Sequence, residues 1–167
     1  MSSATAPSSS RSMPVKQWPL KFKSHSFGAF CYDTQTCTIR YANLEHGSGQ
    51  PSPPSITYGS GYLNHLSGGH AGIRNFPPPA QVSWRSKDGQ AHTAEIDIGE
   101  LFADEIIRHN VKREEMANLP DGEFRDEPSI LLEVNDRTIR VYMRAMIFLK
   151  KRVEVVGQMR GDFRNDL

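Results

Sequence analysis

The chain has 167 residues, with 20 Lys and Arg against 19 Asp and Glu for a net charge of +1. That length suits one domain able to bury its own core without metal or a dense disulfide framework, and scattered, balanced charge argues against nucleic acid as the main partner. No run approaches the roughly 18 to 20 apolar residues that span a bilayer, and the first residues lack the apolar centre of a signal peptide.

Residues 1–17, "MSSATAPSSSRSMPVKQ", hold almost nothing that could be buried. Their Ser/Ala/Pro composition predicts a flexible N-terminal tether ahead of a single globular domain over 18–167. Two origins stay open: a stalk left by a removed lipid or signal segment, or the tail of a cytosolic protein. In "QWPLKFKSHSF", Leu20 and Phe22 alternate with Lys21 and Lys23, the period-two pattern of a half-buried strand. "CTIRYANL" repeats it with Ile39 and Tyr41 against Arg40, so a hairpin around "YDTQT" is the simplest reading.

That hairpin carries Cys31 and Cys37, the two cysteines of the chain, with five residues between them. The spacing is too wide for a C-x-x-C redox pair, and a zinc site would need further ligands. A structural disulfide at the hairpin base is the favoured reading, worth roughly 2 kcal/mol by loop closure. It would imply an oxidising compartment such as the periplasm. Two unbonded thiols and a functional thiol are the competing readings.

Residues 45–79 form a long Gly/Ser/Pro-rich stretch, of a length that is usually either functional or disordered. Its members Ile56, Tyr58, Tyr62, Leu63, Ile73 and Phe76 predict that parts of it pack down, and Pro77 to Pro79 favour an extended entry into the next strand. "AQVSWRSKDGQAHTAEIDI" is the clearest local signal: two alternating runs joined at Asp88-Gly89, with Val82, Trp84, Ile96 and Ile98 facing the core. "GELFADEIIRHN" predicts an amphipathic helix with Leu101, Phe102, Ile106 and Ile107 as its stripe. The polar 111–128 segment reads as a connection with a short helical turn at "REEMANL". "SILLEVNDRTIRVYMRAMIFLKK" predicts a second hairpin turning at "NDR", with Ile130, Leu132, Val134, Ile139, Val141, Met143 and Ala145 on one face. The expected fold is therefore mainly β (α+β), an antiparallel hairpin-built sheet or sandwich with one amphipathic covering helix.

Chemistry is harder to find. His65 and His70 lack the helical spacing of a zinc pair. The Gly-rich run does not end in G-K-[ST], and no G-x-S-x-G elbow is present, which leaves Ser48 in "HGSG" as a loop serine. Asp121, Glu123, Asp126 and Glu127 cluster without the spacing of a calcium loop. The expectation is a non-enzyme without metal or cofactor, whose aromatic loop from Tyr58 to Phe76 either recognises another protein or packs on its own sheet.

Three phrases carry a resemblance: "WPLKFKSHSFGAFCYDTQTCTIRYAN", "SGGHAGIRNFPPPAQVSWRSKDGQAHTAEIDIGELF" and "ILLEVNDRTIRVYMRAMI". They resemble a group of small exported proteobacterial proteins, often lipoproteins, encoded beside type VI secretion effectors, notably phospholipases. The likeness runs from Trp18 to Leu167. It implies an immunity protein that binds a secreted effector, a lipase or phospholipase, and neutralises it by steric occlusion. It also implies a periplasmic location with membrane attachment only through a removed N-terminal lipid anchor. Members carry an export segment and continue past "DFRNDL", so on the resemblance this is a trimmed form. Within that reading Tyr58, Tyr62, Arg74 and Phe76, with the turn from Asp33 to Gln35, are the expected partner contacts. The alternative is a non-enzymatic envelope lipoprotein or effector-loading adaptor; a hydrolase with a split active site built from His65, His70 and the acidic loop is the third reading.

Overall fold

A computed structural model describes residues 18–116, 127–147 and the backbone of 162–166. The expected tether, most of the acidic cluster (Asp121, Glu123, Asp126) and the chain from 148 to 161 lie outside the described residues. The fold is mainly β, as expected, in two sheets packed face to face. Among the described residues the strands are β1 (Ser24–Tyr32), β2 (Thr34–Tyr41), β3 (Leu44–Ser48), β4 (His70–Arg74), β5 (Ala80–Ser86), β6 (Ala91–Ile96), β7 (Ser129–Asn135), β8 (Thr138–Arg144) and β9 (Asp162–Asp166). One sheet runs β4-β1-β7-β8-β9, the other β3-β2-β5-β6.

Alternation explains the core. Val82 and Trp84 on β5, Ile39 and Tyr41 on β2, and Ile130, Leu132, Val134, Ile139, Val141 and Met143 on the β7–β8 hairpin all turn inward into one cluster with Phe27. The β5–β6 hairpin turns where Gly89 takes φ +87°, a conformation that favours glycine. The β7–β8 hairpin turns at Asp136-Arg137, closed by the Asn135–Thr138 pair.

Two expectations are corrected. The segment around Cys31 and Cys37 is not a hairpin: β1 and β2 belong to different sheets, and the chain passes between them at Asp33, whose φ is +54°. β1 pairs instead with β7, in parallel, from Ser26–Ser129 to Tyr32–Asn135. The disulfide does form, with the two Cα atoms 6.4 Å apart, so it joins the two sheets where the chain crosses between them.

The helix expected over 99–110 is a single turn, α1 (Ile98–Leu101), capped by the Asp97 carboxylate on the Glu100 amide. The chain then leaves helical geometry, with Glu105 at φ +56°. Extended pairing takes over: the Phe22 amide bonds to the Glu105 carbonyl at 3.0 Å and the Ile107 amide to the Leu20 carbonyl at 2.8 Å. Leu20, Phe22, Phe102 and Ile107 are still buried; a strand-like strip does the covering that a helix was expected to do.

Candidate functional site

The long 45–79 stretch is ordered by the face it crosses. β7 buries Ile130, Leu132 and Val134 in the core, so parity turns Leu131, Glu133 and Asn135 to the opposite, outer face. Yet Leu131 and Glu133 are fully buried there. The cover is a strap made of two 3-10 turns, Ser55–Tyr58 and Tyr62–His65, followed by Leu66 to Gly68. Leu66 is buried against Tyr32, Leu131 and Tyr142 in a second apolar cluster, with Phe30, Tyr62 and Leu63 at its edge.

Side chains of the sheet hold the strap down. Arg144 donates to the Leu66 carbonyl at 2.5 Å and to the Leu63 carbonyl at 2.6 Å. The Asn135 amide reaches the Ser55 hydroxyl at 3.3 Å. The Tyr62 hydroxyl donates to Glu133 Oε2 at 2.5 Å, while Tyr142 donates to Oε1 at 2.7 Å. Gly28 on β1 permits the close approach, because a Cβ there would meet the Ser67 carbonyl oxygen.

Glu133 is thus a carboxylate with no exposure, standing beside Phe30 in the β1–β7 register and opposite Arg140 in the β7–β8 register. It acts on its neighbours. Burial first, then the Glu133 charge, pushes the Tyr32 hydroxyl up to about 12. Burial and the hydrogen bond to Glu133 also raise Tyr62 and Tyr142. All three hydroxyls therefore stay protonated at neutral pH, and two of them, Tyr62 and Tyr142, donate to Glu133.

Between strap and strands lies a groove of about 490 Å³, lined by Phe30, Cys31, Tyr32, Tyr58, Tyr62, His65 and Leu66. Tyr58 and Tyr62 both stand edge-on to Tyr32, with ring centroids 5.8 and 5.1 Å away. Tyr58, which lines the groove, is 56% exposed, and Ile56 in the same 3-10 turn is 70% exposed; these are the two most exposed large hydrophobic side chains among the described residues. A second hollow of about 460 Å³, between the β2–β3 turn and Pro77 to Pro79, is lined by Arg40, Glu45 and backbone-rich turn residues; Arg40 and Glu45 pair with each other at 3.1 Å.

The expected contact residues do not form one patch. Tyr58 and Tyr62 share the groove. Phe76 is half-buried and packs against the core, 5.9 Å from Phe22 and 5.7 Å from His25 between ring centroids. Asp33 and Gln35 sit at the sheet crossover, where the Asp33 amide bonds to the Pro53 carbonyl and the Gln35 amide to the Lys87 carbonyl. Arg74 is exposed on β4, an edge strand. Tyr32 and Glu133 were missed. The lone Glu in "ILLEVN" shares the parity of Leu131 and falls near Tyr142 across the hairpin, and that was the available signal.

Other chemistry-bearing groups are placed differently. His65 lines the groove and His70 lies in β4; Glu127 accepts from the Ser24 hydroxyl and the Gly72 amide. Among the described residues no three His, Cys, Asp or Glu side chains are grouped to hold a metal ion. Among the described residues a Ser–His hydrogen bond joins Ser86 Oγ to His92 Nε2 at 2.9 Å. The serine's hydroxyl proton goes to Asp88 Oδ1 at 2.5 Å, so the imidazole donates to this oxygen instead of accepting from it. That is the opposite of what an activated nucleophile needs, and Ser86 is fully buried in the β5–β6 turn.

No family model matches the chain, and the comparisons with curated proteins and with solved structures give no match.

Proposed function

We propose that this chain is a binding module that captures a protein partner on the strapped face of its five-stranded sheet. The observation that carries the reading is Tyr58, held exposed on the wall of a concave aromatic groove, with the exposed Ile56 two residues before it in the same 3-10 turn. Single exposed apolar side chains are common on monomer surfaces, but an aromatic side chain exposed on the wall of a preformed pocket is the kind of residue that anchors an interface. The strap is fixed by Arg144, Asn135 and Glu133, so little ordering would be needed on binding.

The resemblance stated above supplies the partner class: a secreted effector of the lipase or phospholipase kind, neutralised by occlusion. The Cys31–Cys37 disulfide supports an oxidising compartment such as the periplasm for this encounter. The immunity reading rests on that resemblance and on the surface, not on a relative.

The test is co-purification with the product of the adjacent gene, with lipase activity as readout. A stoichiometric complex with lost activity supports immunity, and Ile56→Asp should weaken it by a factor of ten or more, on the order of what one buried anchor contributes. A complex that leaves activity intact favours the adaptor reading. A complex that Ile56→Asp and Tyr58→Ala both leave unchanged removes the strapped face from the interface.

A further inference from the structure

The four-stranded sheet ends at β6, and this edge is built differently from those at β3 and β4. In the β5–β6 turn the Ser86 amide donates to the Gln90 carbonyl at 3.0 Å, and along an antiparallel ladder bonded and unbonded main-chain pairs then alternate. Trp84–His92, Val82–Ala94 and Ala80–Ile96 are therefore the bonded pairs. The N–H and C=O groups of Ala91, Thr93 and Glu95 point away from β5, all three residues are exposed, and among the described residues nothing pairs with them on that side. The other two edges are blunted. Gly47 takes φ +103° in β3, while β4 meets β1 through a register shift and has Gly72 at φ +74° with its amide held by Glu127. β6 carries no glycine, proline, lysine or register shift, which leaves it a template for another strand.

Charge selects which strand. On the outer face of this sheet Arg85 stands beside Ala91 at one end of β6, and Glu95 stands beside Gln81 at the other. A base at one end and an acid at the other suit an antiparallel copy of the same strand.

We propose that β6 pairs with β6 of a second copy of this chain about a two-fold axis at Thr93, joining the two four-stranded sheets into one. The outward groups fix the register: Thr93 bonds to its own symmetry mate, and Ala91 to the mate of Glu95. Each Glu95 then faces the small side chain of Ala91 in the other copy, with Arg85 of that copy just beyond it. Sliding the strands until Glu95 faces Glu95 would set like charges opposite each other, which is unfavourable. Ala94 and Ile96, half-buried at the margin of the core, gain cover from the added strand. The strapped face belongs to the other sheet, so this pairing does not rest on the partner-binding reading.

Sedimentation equilibrium of the full chain should show monomer and dimer in exchange. As concentration rises, amide exchange should slow at Ala91, Thr93 and Glu95 and not at His92, Ala94 and Ile96, which β5 already protects. Thr93→Pro removes an outward N–H and no bond to β5, and should weaken the dimer by about tenfold or more. Glu95→Arg should weaken it by roughly tenfold, with Arg85→Glu in the same chain restoring it; circular dichroism checks that each variant keeps its fold. A chain that stays monomeric up to about 1 mM, the weak end of specific affinity, overturns the proposal. So does a dimer that Thr93→Pro and Glu95→Arg both leave unchanged, or one whose protection does not alternate along β6. A monomeric chain whose complex with the adjacent gene's product is weakened by Thr93→Pro would assign the edge to that partner and overturn self-pairing. Ile56→Asp should leave the dimer intact, and its loss would move the interface to the strapped face and overturn the proposal as well.

Discussion

The indole N–H of Trp84, on β5 of the four-stranded sheet, donates to the main-chain carbonyl of Asp136, in the β7–β8 turn of the other sheet, at 2.6 Å. The same turn receives more. The Asp136 carboxylate accepts from the Lys87 amide at 2.9 Å, and the Asp136 amide donates to the Tyr32 carbonyl at 2.9 Å. Two hairpin tips and the sheet crossover are therefore fastened together at one end of the molecule, close to where the disulfide joins β1 to β2.

Trp84→Phe tests this fastening. The substitution keeps an aromatic ring in a nearly closed site but leaves the Asp136 carbonyl without its donor. Losing one partner of a buried hydrogen bond costs roughly 1 to 3 kcal/mol, and the smaller ring leaves a void that adds to it. Urea unfolding should show a lower midpoint with an unchanged slope. A midpoint equal to wild type would mean the contact contributes nothing to stability.

The disulfide makes a separate prediction. Cys37 is 1% exposed and sits in the core opposite Trp84 in the β2–β5 register, while Cys31 lines the groove. Replacing both by Ala should lower stability by roughly 2 kcal/mol on the loop-closure account. Because the bridge ties one sheet to the other, the loss should appear as a lower midpoint for the whole domain, not as local fraying. A reductant that leaves the wild-type melting curve unmoved, with thiol titration showing two free cysteines, would refute it.

A pH dependence follows from His25. This side chain has no exposure and bridges Asn75 and Tyr41, at 2.6 and 2.9 Å. The Asn75 amide nitrogen already donates to the Phe22 carbonyl and to Glu105, so its oxygen faces the ring. His25 Nδ1 then carries the proton and Nε2 accepts from Tyr41. Burial lowers its affinity for a second proton, against opposing pulls from Asn75 and Glu127, and burial also lowers His46 and His109. The unfolded chain therefore binds more protons than the folded one just below the ordinary histidine value of about 6.5. The stability is complete above that value and is lost as pH falls toward the folded-state values. Unfolding midpoints should drop between pH 7.5 and 5.5, and His25→Gln should flatten the drop. A pH-independent midpoint over that interval would contradict the assignment.

Much of the core was legible because two-residue alternation is a local property. Val82 and Trp84, or Ile130 and Val141, declare their face within one strand. The partner of a strand is not local: nothing within "FGAFCY" distinguishes a hairpin with "TCTIRY" from a crossover to another sheet, and the parallel β1–β7 pairing joins segments about a hundred residues apart. Residues 101–107 satisfied a helical stripe and an extended strip equally, and pairing with Leu20 and Phe22 decided between them. At the candidate site the tyrosines stood out as large side chains in a polar loop. Glu133 did not, since a single acid in a strand ordinarily marks the solvent face; only the strap laid over that face buries it.

The strap itself can be tested at Gly28. This residue lies within β1 and pairs with Leu131, with its open side against the Ser67 backbone. A methyl group in Gly28→Ala would meet that carbonyl oxygen well inside contact distance, and backbone cannot rotate away as a side-chain tip can. The clash lies on the outer face, so the core between the sheets should be unaffected and the strap should yield. Overpacking of this kind costs roughly 1 to 3 kcal/mol. Amide exchange should quicken over residues 62–68 and the Tyr62–Glu133 hydrogen bond should be lost, while protection in β5 and β8 stays near wild type. The groove walls from Tyr62 to Leu66 would shift with the strap. Faster exchange throughout both sheets would instead mean that the strap is part of the cooperative fold, and unchanged exchange at 62–68 would mean that Gly28 does not set its seat.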